Sequence, residues 1–435
     1  MKKALSILVV VLCAFSVFAQ AVVESSSGKE ELRIVSLAPN VTEMIYALGS
    51  GSQLAGRTDY CNWPEEALSV PSIGTLWDPN MEAILAMNAD VKYSFSPYSP
   101  TAAVYYARAA GLNTAGIMDH DSNAGAREFI EAGKIAGVST TIGLECRVSL
   151  AETPFGDRFV NNPDQKGVAY MALHGVPHQN IDYLNSIFAP LREKRNIRNK
   201  KIVDNINAVV GAFGITLDFE NDVVPVSNFA VGGSVTERHV MYALALKIAS
   251  QYGDSTVDFF ENKLGIALSE KQKAQMNEPQ SDYYLYDILG ILKSTLIKKV
   301  YVPADEELLS VSELSDVAKE CGALLCYAYL GDVTDSVTGD KAAQKFEDDF
   351  IEDLFIELKK QRVDAVTYMP SRNTMAQLEK VMSLCKKYDF FEISGEDINS
   401  IRQSFICPQL EKPEFKHLVN ATWALIKREN DLSEC

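Results

Sequence analysis

Five short runs carry the side chains that could do chemistry. Ile117-Met118-Asp119-His120-Asp121 sets an imidazole between two carboxylates at the end of an apolar run. Ile142-Gly143-Leu144-Glu145-Cys146 places a carboxylate inside another, and Tyr170-Met171-Ala172-Leu173-His174-Gly175 ends a third in histidine. Glu237-Arg238-His239 opens a helical stretch, and Gly395-Glu396-Asp397-Ile398-Asn399 follows the last β-run. Carboxylates and imidazoles that converge suit divalent zinc, manganese or iron, which combine hard oxygen with borderline nitrogen donors. Such a metal can hold a phosphoryl group and lower the pKa of a bound water. Asp119 and Arg238 are the candidate catalytic groups, and the guanidinium of Arg238 is suited to bidentate contact with phosphate.

The elements that must position these groups alternate. Strands are expected at 115–118, 140–148, 168–173, 323–330, 363–369 and 390–393. Helices are expected at 124–136 (with Phe129, Ile130 and Ile135 on one face), 240–250, 348–360 and 374–388. Apolar β-runs interleaved with amphipathic helices specify an α/β barrel or doubly wound sheet. In a barrel the candidate residues would meet at the C-terminal strand ends. The chain has 435 residues, a net charge of −17 and 47% hydrophobic residues, enough for two or three domains and not a collagenous, coiled-coil or disordered composition. The acidic balance argues against duplex DNA as the partner. No P-loop, no GxGxxG after a strand and no GxSxG elbow is present, so nucleoside-triphosphate, dinucleotide and serine-hydrolase readings lack support.

The N-terminus reads as an exported leader over residues 1–21: Met1-Lys2-Lys3, an apolar run to Phe18, then Ala19-Gln20-Ala21. Residues 22–31 form a polar linker, and no later segment is long and apolar enough to span a bilayer. The other cysteines (Cys61, Cys146, Cys321, Cys326, Cys385, Cys407 and Cys435) are odd in number and scattered, unlike a disulfide framework or a zinc site. That usage suits a cytoplasmic body, whereas the leader indicates an exported or periplasmic one.

Two resemblances divide the rest. Arg33-Ile34-Val35-Ser36-Leu37-Ala38-Pro39-Asn40, with the turn Gly56-Arg57-Thr58-Asp59-Tyr60-Cys61, resembles periplasmic binding proteins for vitamin B12 and iron siderophores over residues 32–91. It implies part of one ligand-binding lobe, with Asp59, Tyr60 and Trp77 nearest a ligand. From Tyr93 to Cys407 the chain resembles the PHP (polymerase and histidinol phosphatase) family of metal-dependent phosphoesterases, most specifically in the run from Gly116 to Gly137. The resemblance implies a distorted (β/α)7 TIM-like barrel over 92–410, with a helical insertion at about 180–235 and a helical tail at 411–435. By position it makes His120, Glu145, His174, His239 and Asp397 metal ligands. Glu145, His174 and His239 would form the most complete of the family's three metal positions.

The chain departs from that family at both ends. No His-x-His strand precedes Tyr93, where Asn88-Ala89-Asp90-Val91-Lys92 stands, and Asp397-Ile398-Asn399 lacks the closing histidine. Fewer metals than three are therefore expected, and the binding-protein fragment replaces the barrel's first strand. The function implied is metal-dependent hydrolysis of a small phosphomonoester or phosphodiester, with nucleotides and short oligonucleotides among the substrates it admits. The alternative is an exported substrate-binding protein for vitamin B12 or an iron chelate. Between His174 and His178 the strand-end position favours His174, and His417 reads as structural. The dense basic run from Arg192 to Lys201 reads first as a solvated helix face and second as a surface gathering a polyanion.

Overall fold

The computed structural model describes residues 33–47, 49–75, 91–93, 99–281, 283–332, 345–394 and 406–433. The expected leader at 1–21, the linker, Trp77, Asp90 and Asp397 lie outside the described residues. The chain divides into two compact units, Met1–Tyr106 and Ala107–Cys435.

In the first unit, β1 (Ile34–Ser36) pairs in parallel with β2 (Leu54–Arg57) on one side and β3 (Val91–Tyr93) on the other. Helix α1 (Pro39–Ala47) joins β1 to β2. Its first residue is a proline, whose missing N–H would have had no helical partner there. Ile34, Ala38, Val41, Ile45 and Leu54 close a small apolar core between this helix and the strands. The division between the units falls inside α2 (Pro100–Ala109).

The second unit is built on one sheet: β4 (Thr114–His120), β5 (Ser139–Ser149), β6 (Val168–His174), β7 (Leu309–Ser310), β8 (Leu324–Ala328), β9 (Ala365–Tyr368) and β10 (Phe391–Ser394). The order is β10-β9-β8-β6-β5-β4, with β7 beside the end of β5. It is a curled, open half-barrel, and among the described residues no strand pairs with the outer edge of β4. Helix α3 (Ala126–Ala136) returns the chain from β4 to β5, burying Phe129 and Ile130. Ile135 stands 70% exposed, contrary to its expected place on that face, because five residues of helix turn it away from Ile130.

One strand departs from a parallel barrel. β6 is antiparallel to both β5 and β8. The loop between β5 and β6 folds the chain straight back, with the Leu150 N–H donating to Gly167 O at 2.8 Å. Asn161 fixes that return: its amide donates to Tyr170 O and Ala328 O and accepts from the Tyr170 N–H. Gly143 lets β6 lie close, since a Cβ there would stand 2.2 Å from Leu173 O.

Between β6 and β7 the chain is helical: α4 (Ile181–Val210), α5 (Glu237–Tyr252), α6 (Glu270–Met276) and α7 (Tyr284–Thr295). This insertion runs well past the expected limit near 235, and its apolar core runs from Ile202 to Val300. Helices α8 (Val311–Cys321), α9 (Ile351–Lys360) and α10 (Met375–Tyr388) alternate with the last strands. The final helix, α11 (Lys416–Ser433), sends Leu425 against Ala172, Cys326, Ala365 and Ile393 on the sheet's inner face.

A single carboxylate secures that last helix. Glu429 is fully buried and accepts from Thr141 Oγ1 at 2.6 Å and the Ile142 N–H at 3.0 Å, with His178 Nε2 at 3.1 Å. Glu429→Ala strands these partners without an acceptor and should cost about 3 kcal/mol in denaturant unfolding, whereas Glu429→Gln, which keeps one acceptor oxygen, should cost about half as much.

Candidate functional site

Strand alternation decides which candidates can meet. His120 pairs in register with Glu145, Glu145 with Ala172, and Arg147 with Tyr170, so all five project from one face of the sheet. His120 Nδ1 lies 3.4 Å from Glu145 Oε1, with both side chains partly open to solvent. The Tyr170 ring sits 5.8 Å from the His120 ring, centroid to centroid. Asp119 follows the same alternation to the opposite face, and the expectation that it joins His120 in catalysis fails on that geometry. The surrounding protein raises its carboxyl to about 6, but the side chain is open to water, which screens much of that effect.

β4 ends abruptly. Asp121 takes a left-handed backbone conformation (φ 53°), uncommon outside glycine, and its N–H donates to Glu145 O at 2.8 Å. Its carboxylate is ion-paired with Arg195, and its carbonyl accepts from Arg192 at 2.8 Å. The strained turn therefore binds the end of His120's strand to helix α4.

Around it lies a buried lattice of ions. Glu237 pairs with Arg147 at 3.0 Å, with Arg195 at 3.0 Å and with Arg198, while Glu307 receives Arg147 at 3.1 Å and Arg198 at 2.5 Å. Burial alone would raise the Glu237 carboxyl, but the guanidiniums of Arg147, Arg198 and Arg195 hold it well below the usual carboxylate range. Burial alone would likewise lower Arg147, and Glu237, Tyr170, Tyr301 and Glu307 raise it instead. The expected solvated helix face is thereby corrected. Arg192, Arg195 and Arg198 recur every three residues along the buried side of α4, while Lys194, Lys200 and Lys201 face solvent. That three-residue spacing was the available signal. Arg147, two residues beyond Glu145 on the same strand face, was legible by the same reasoning.

His239 stands in the first turn of α5, beside Arg238. Its Nδ1 accepts the Thr236 backbone N–H at 3.0 Å. Burial, then Arg195, His120 and Arg238, lower its pKa to about 4, so the ring is neutral at physiological pH. His120, Glu145 and His239 thus occupy one neighbourhood.

His174 does not join them. Because β6 runs antiparallel, His174 stands opposite Gly143, two residues before Glu145 on β5, while Tyr170 stands opposite Arg147, two residues after it, and its ring is the one that meets His120. His174 Nε2 faces Thr367 Oγ1 at 3.3 Å, and burial alone, with no charged neighbour, lowers its pKa to about 4. Among the described residues no three His, Cys, Asp or Glu side chains converge on a metal-binding position. The expected set Glu145, His174 and His239 is therefore not assembled, and the donors that are described do not fit a divalent ion. His417 Nε2 lies 3.1 Å from the buried Tyr368 hydroxyl, away from these groups, and the six described cysteines are free thiols.

The fold thus defines an α/β half-barrel carrying a small N-terminal fragment like a periplasmic-binding-protein lobe. A family model described as a periplasmic binding protein matches residues 34–138, reaching through β4 and α3 and past the expected boundary at 91. Similar curated proteins are vitamin B12-binding proteins. That of Pectobacterium carotovorum (strain PC1) is 35% identical over 68 residues, 16% of this chain and 25% of that protein. That of Yersinia pestis (strain Pestoides F) is 36% identical over 59 residues, 14% and 21% of the two. The chain spans about a quarter of the length of these relatives. Among solved structures, one assigned as a metal-dependent phosphoesterase from Bifidobacterium adolescentis covers 76% of this chain and 91% of its own at 17% identity and a TM-score of 0.47. An amidohydrolase from Chromobacterium violaceum covers 74% and 91% at 16% identity and a TM-score of 0.44. No residue or activity is carried over from likenesses of that size.

Two measurements check this geometry. The folded pKa of His174 lies below its unfolded value near 6.5, so between about 4 and 6.5 the unfolded chain binds the extra proton. Stability should hold above pH 6.5 and fall toward pH 4 by up to about 3 kcal/mol, and His174→Gln should flatten that decline in urea titrations. Glu237→Gln, which leaves three guanidiniums short of a counter-charge, should lower stability by about 3 kcal/mol or more, against roughly 0.5 or less for Lys201→Met.

Proposed function

We propose that the second unit is a hydrolase of small phosphate esters, and that His120 and Glu145 are its working pair. The observation that carries this is the 3.4 Å approach of His120 Nδ1, at the end of β4, to Glu145 Oε1, on the paired strand β5. When Glu145 accepts the Nδ1 proton, Nε2 keeps its lone pair and can take a proton from an attacking water. The oxygen of that water forms the new P–O bond while the ester P–O bond breaks, and the proton held on Nε2 passes to the departing alkoxide to give the alcohol. Arg238, in the first turn of α5 next to His239, would steady the phosphate through paired N–H donors. A metal-activated water would need donors that the described residues do not bring together, so no step is assigned to one.

The substrate class is a phosphomonoester or phosphodiester of small size, a nucleotide included. A long polyanion gains nothing from Arg192, Arg195 and Arg198, which are buried and held by Asp121, Glu237 and Glu307. The likeness of residues 34–138 to periplasmic binding proteins supports an exported location. Among the described residues no helix is long and apolar enough to cross a membrane.

A second reading rests on that same match: the first unit would contact a corrinoid or iron chelate through Asp59 and Tyr60, the latter 58% exposed. The neighbouring Trp63, 66% exposed, would extend that surface.

The purified full chain should release alcohol from p-nitrophenyl phosphate or its diester. His120→Ala and Glu145→Gln should each lower kcat by about 10²-fold or more, and His174→Ala should leave it within about threefold. Equal rates for wild type and His120→Ala would refute the hydrolase reading, and saturable cobalamin binding would support the second.

A further inference from the structure

We infer that His239 is a fixed hydrogen-bond donor to an anionic oxygen of the substrate, and not a ligand for a divalent cation. This deepens the phosphate reading and rests on it for the identity of the anion.

The argument begins at Thr236. Its backbone N–H points at His239 Nδ1 at 3.0 Å, and a peptide N–H can only donate. Nδ1 therefore presents its lone pair, and Thr236 Oγ1 at 3.2 Å approaches the same nitrogen. A neutral imidazole carries one proton, so that proton is on Nε2. A metal-bound histidine has the reverse arrangement: the coordinating nitrogen is bare, and the other donates its N–H to a carbonyl or carboxylate. For His239 to coordinate through Nε2, the Thr236 N–H would have to lose its acceptor at the helix cap.

The surroundings point the same way. Arg195, His120 and Arg238 act on the ring in one sense and Glu237 in the other; Arg195 is itself held by Asp121 and Glu237, so Arg238 is the guanidinium that disfavours a dication and favours an anion. His239 also sits in the first turn of α5, a 16-residue helix whose N-terminal end carries partial positive charge. Donor, Arg238 and helix end favour one kind of guest, an oxyanion. His239 is then a binding residue within electrostatic reach of His120.

Tautomer and ligand can be measured without turnover. In full-length protein with 15N-labelled histidine, long-range proton–nitrogen correlation should show His239 protonated at Nε2 across roughly pH 6 to 8, and inorganic phosphate should shift that Nε2 signal. With chelator present, His239→Gln, which keeps an N–H donor near the same place, should bind phosphate within about threefold of wild type. His239→Ala should weaken it about tenfold, and neither variant should change Mn2+ binding. An Nδ1-protonated ring, no response to phosphate, or equal loss of Mn2+ binding in both variants would overturn the assignment. Phosphate binding in this pattern without ester hydrolysis would leave the assignment standing and remove the hydrolase reading instead.

Discussion

The geometry of the second unit depends on Glu237. One carboxylate at the start of α5 receives Arg147 from β5 and Arg195 and Arg198 from α4. Burying any of these charges alone would cost several kcal/mol, and none of them can leave without stranding the others. Glu307 and Asp121 complete the set, so that three guanidiniums meet three carboxylates drawn from five segments of the chain. The helical insertion keeps its apolar core to itself, from Ile202 to Val300. Polar order, together with Ile181, Leu184 and Phe188 buried in the first part of α4, therefore fixes where that insertion meets the strands. A buried ion lattice is a poor source of net stability but a demanding one in geometry, because each fork must find its carboxylate. His120 lies one residue from Asp121 and His239 two from Glu237, so Arg195, which holds both carboxylates, sets the spacing of the two imidazoles.

The placement of elements was largely legible. Apolar runs marked β4, β5, β6, β8, β9 and β10 to within two or three residues, and the start of α10 was readable from Thr374, whose side chain accepts the Gln377 N–H. Direction was not legible. Period-two alternation is identical for a strand read either way, and the reversal of β6 depends on Asn161 and the Leu150–Gly167 contact in a loop without a turn signature strong enough to announce it. That one reversal sets His174 opposite Gly143, with its ring toward Thr367, and sets Tyr170 opposite Arg147, with its ring toward His120.

The basic run failed to read for a related reason. Charge-rich decamers on helices are usually solvated, and composition does not distinguish a lysine in water from an arginine in a lattice. Spacing does. Residues 192, 195 and 198 are buried along α4 where residues 194 and 201 are exposed, and every buried basic residue of the run is arginine. Arginine is the cation suited to such burial, since its flat fork meets two carboxylates at once while an ammonium meets them as a point. The choice between the two basic residues along α4 thus records which of its sides was to face the sheet.

The same logic separates the chemistry expected from resemblance and that carried by the described side chains. A dication needs converging lone pairs from carboxylates and imidazoles. Here one imidazole is turned toward Thr367, one has its Nδ1 lone pair occupied by a peptide N–H, and the nearby carboxylates Asp121 and Glu237 are committed to guanidiniums. Beside that lattice stand Glu145 with His120, and Arg238 with His239 in the first turn of α5. A base and N–H donors in one neighbourhood suit a group that brings its own negative charge. The cations of the lattice strengthen it, because each carboxylate they neutralise is one that no longer repels an incoming anion.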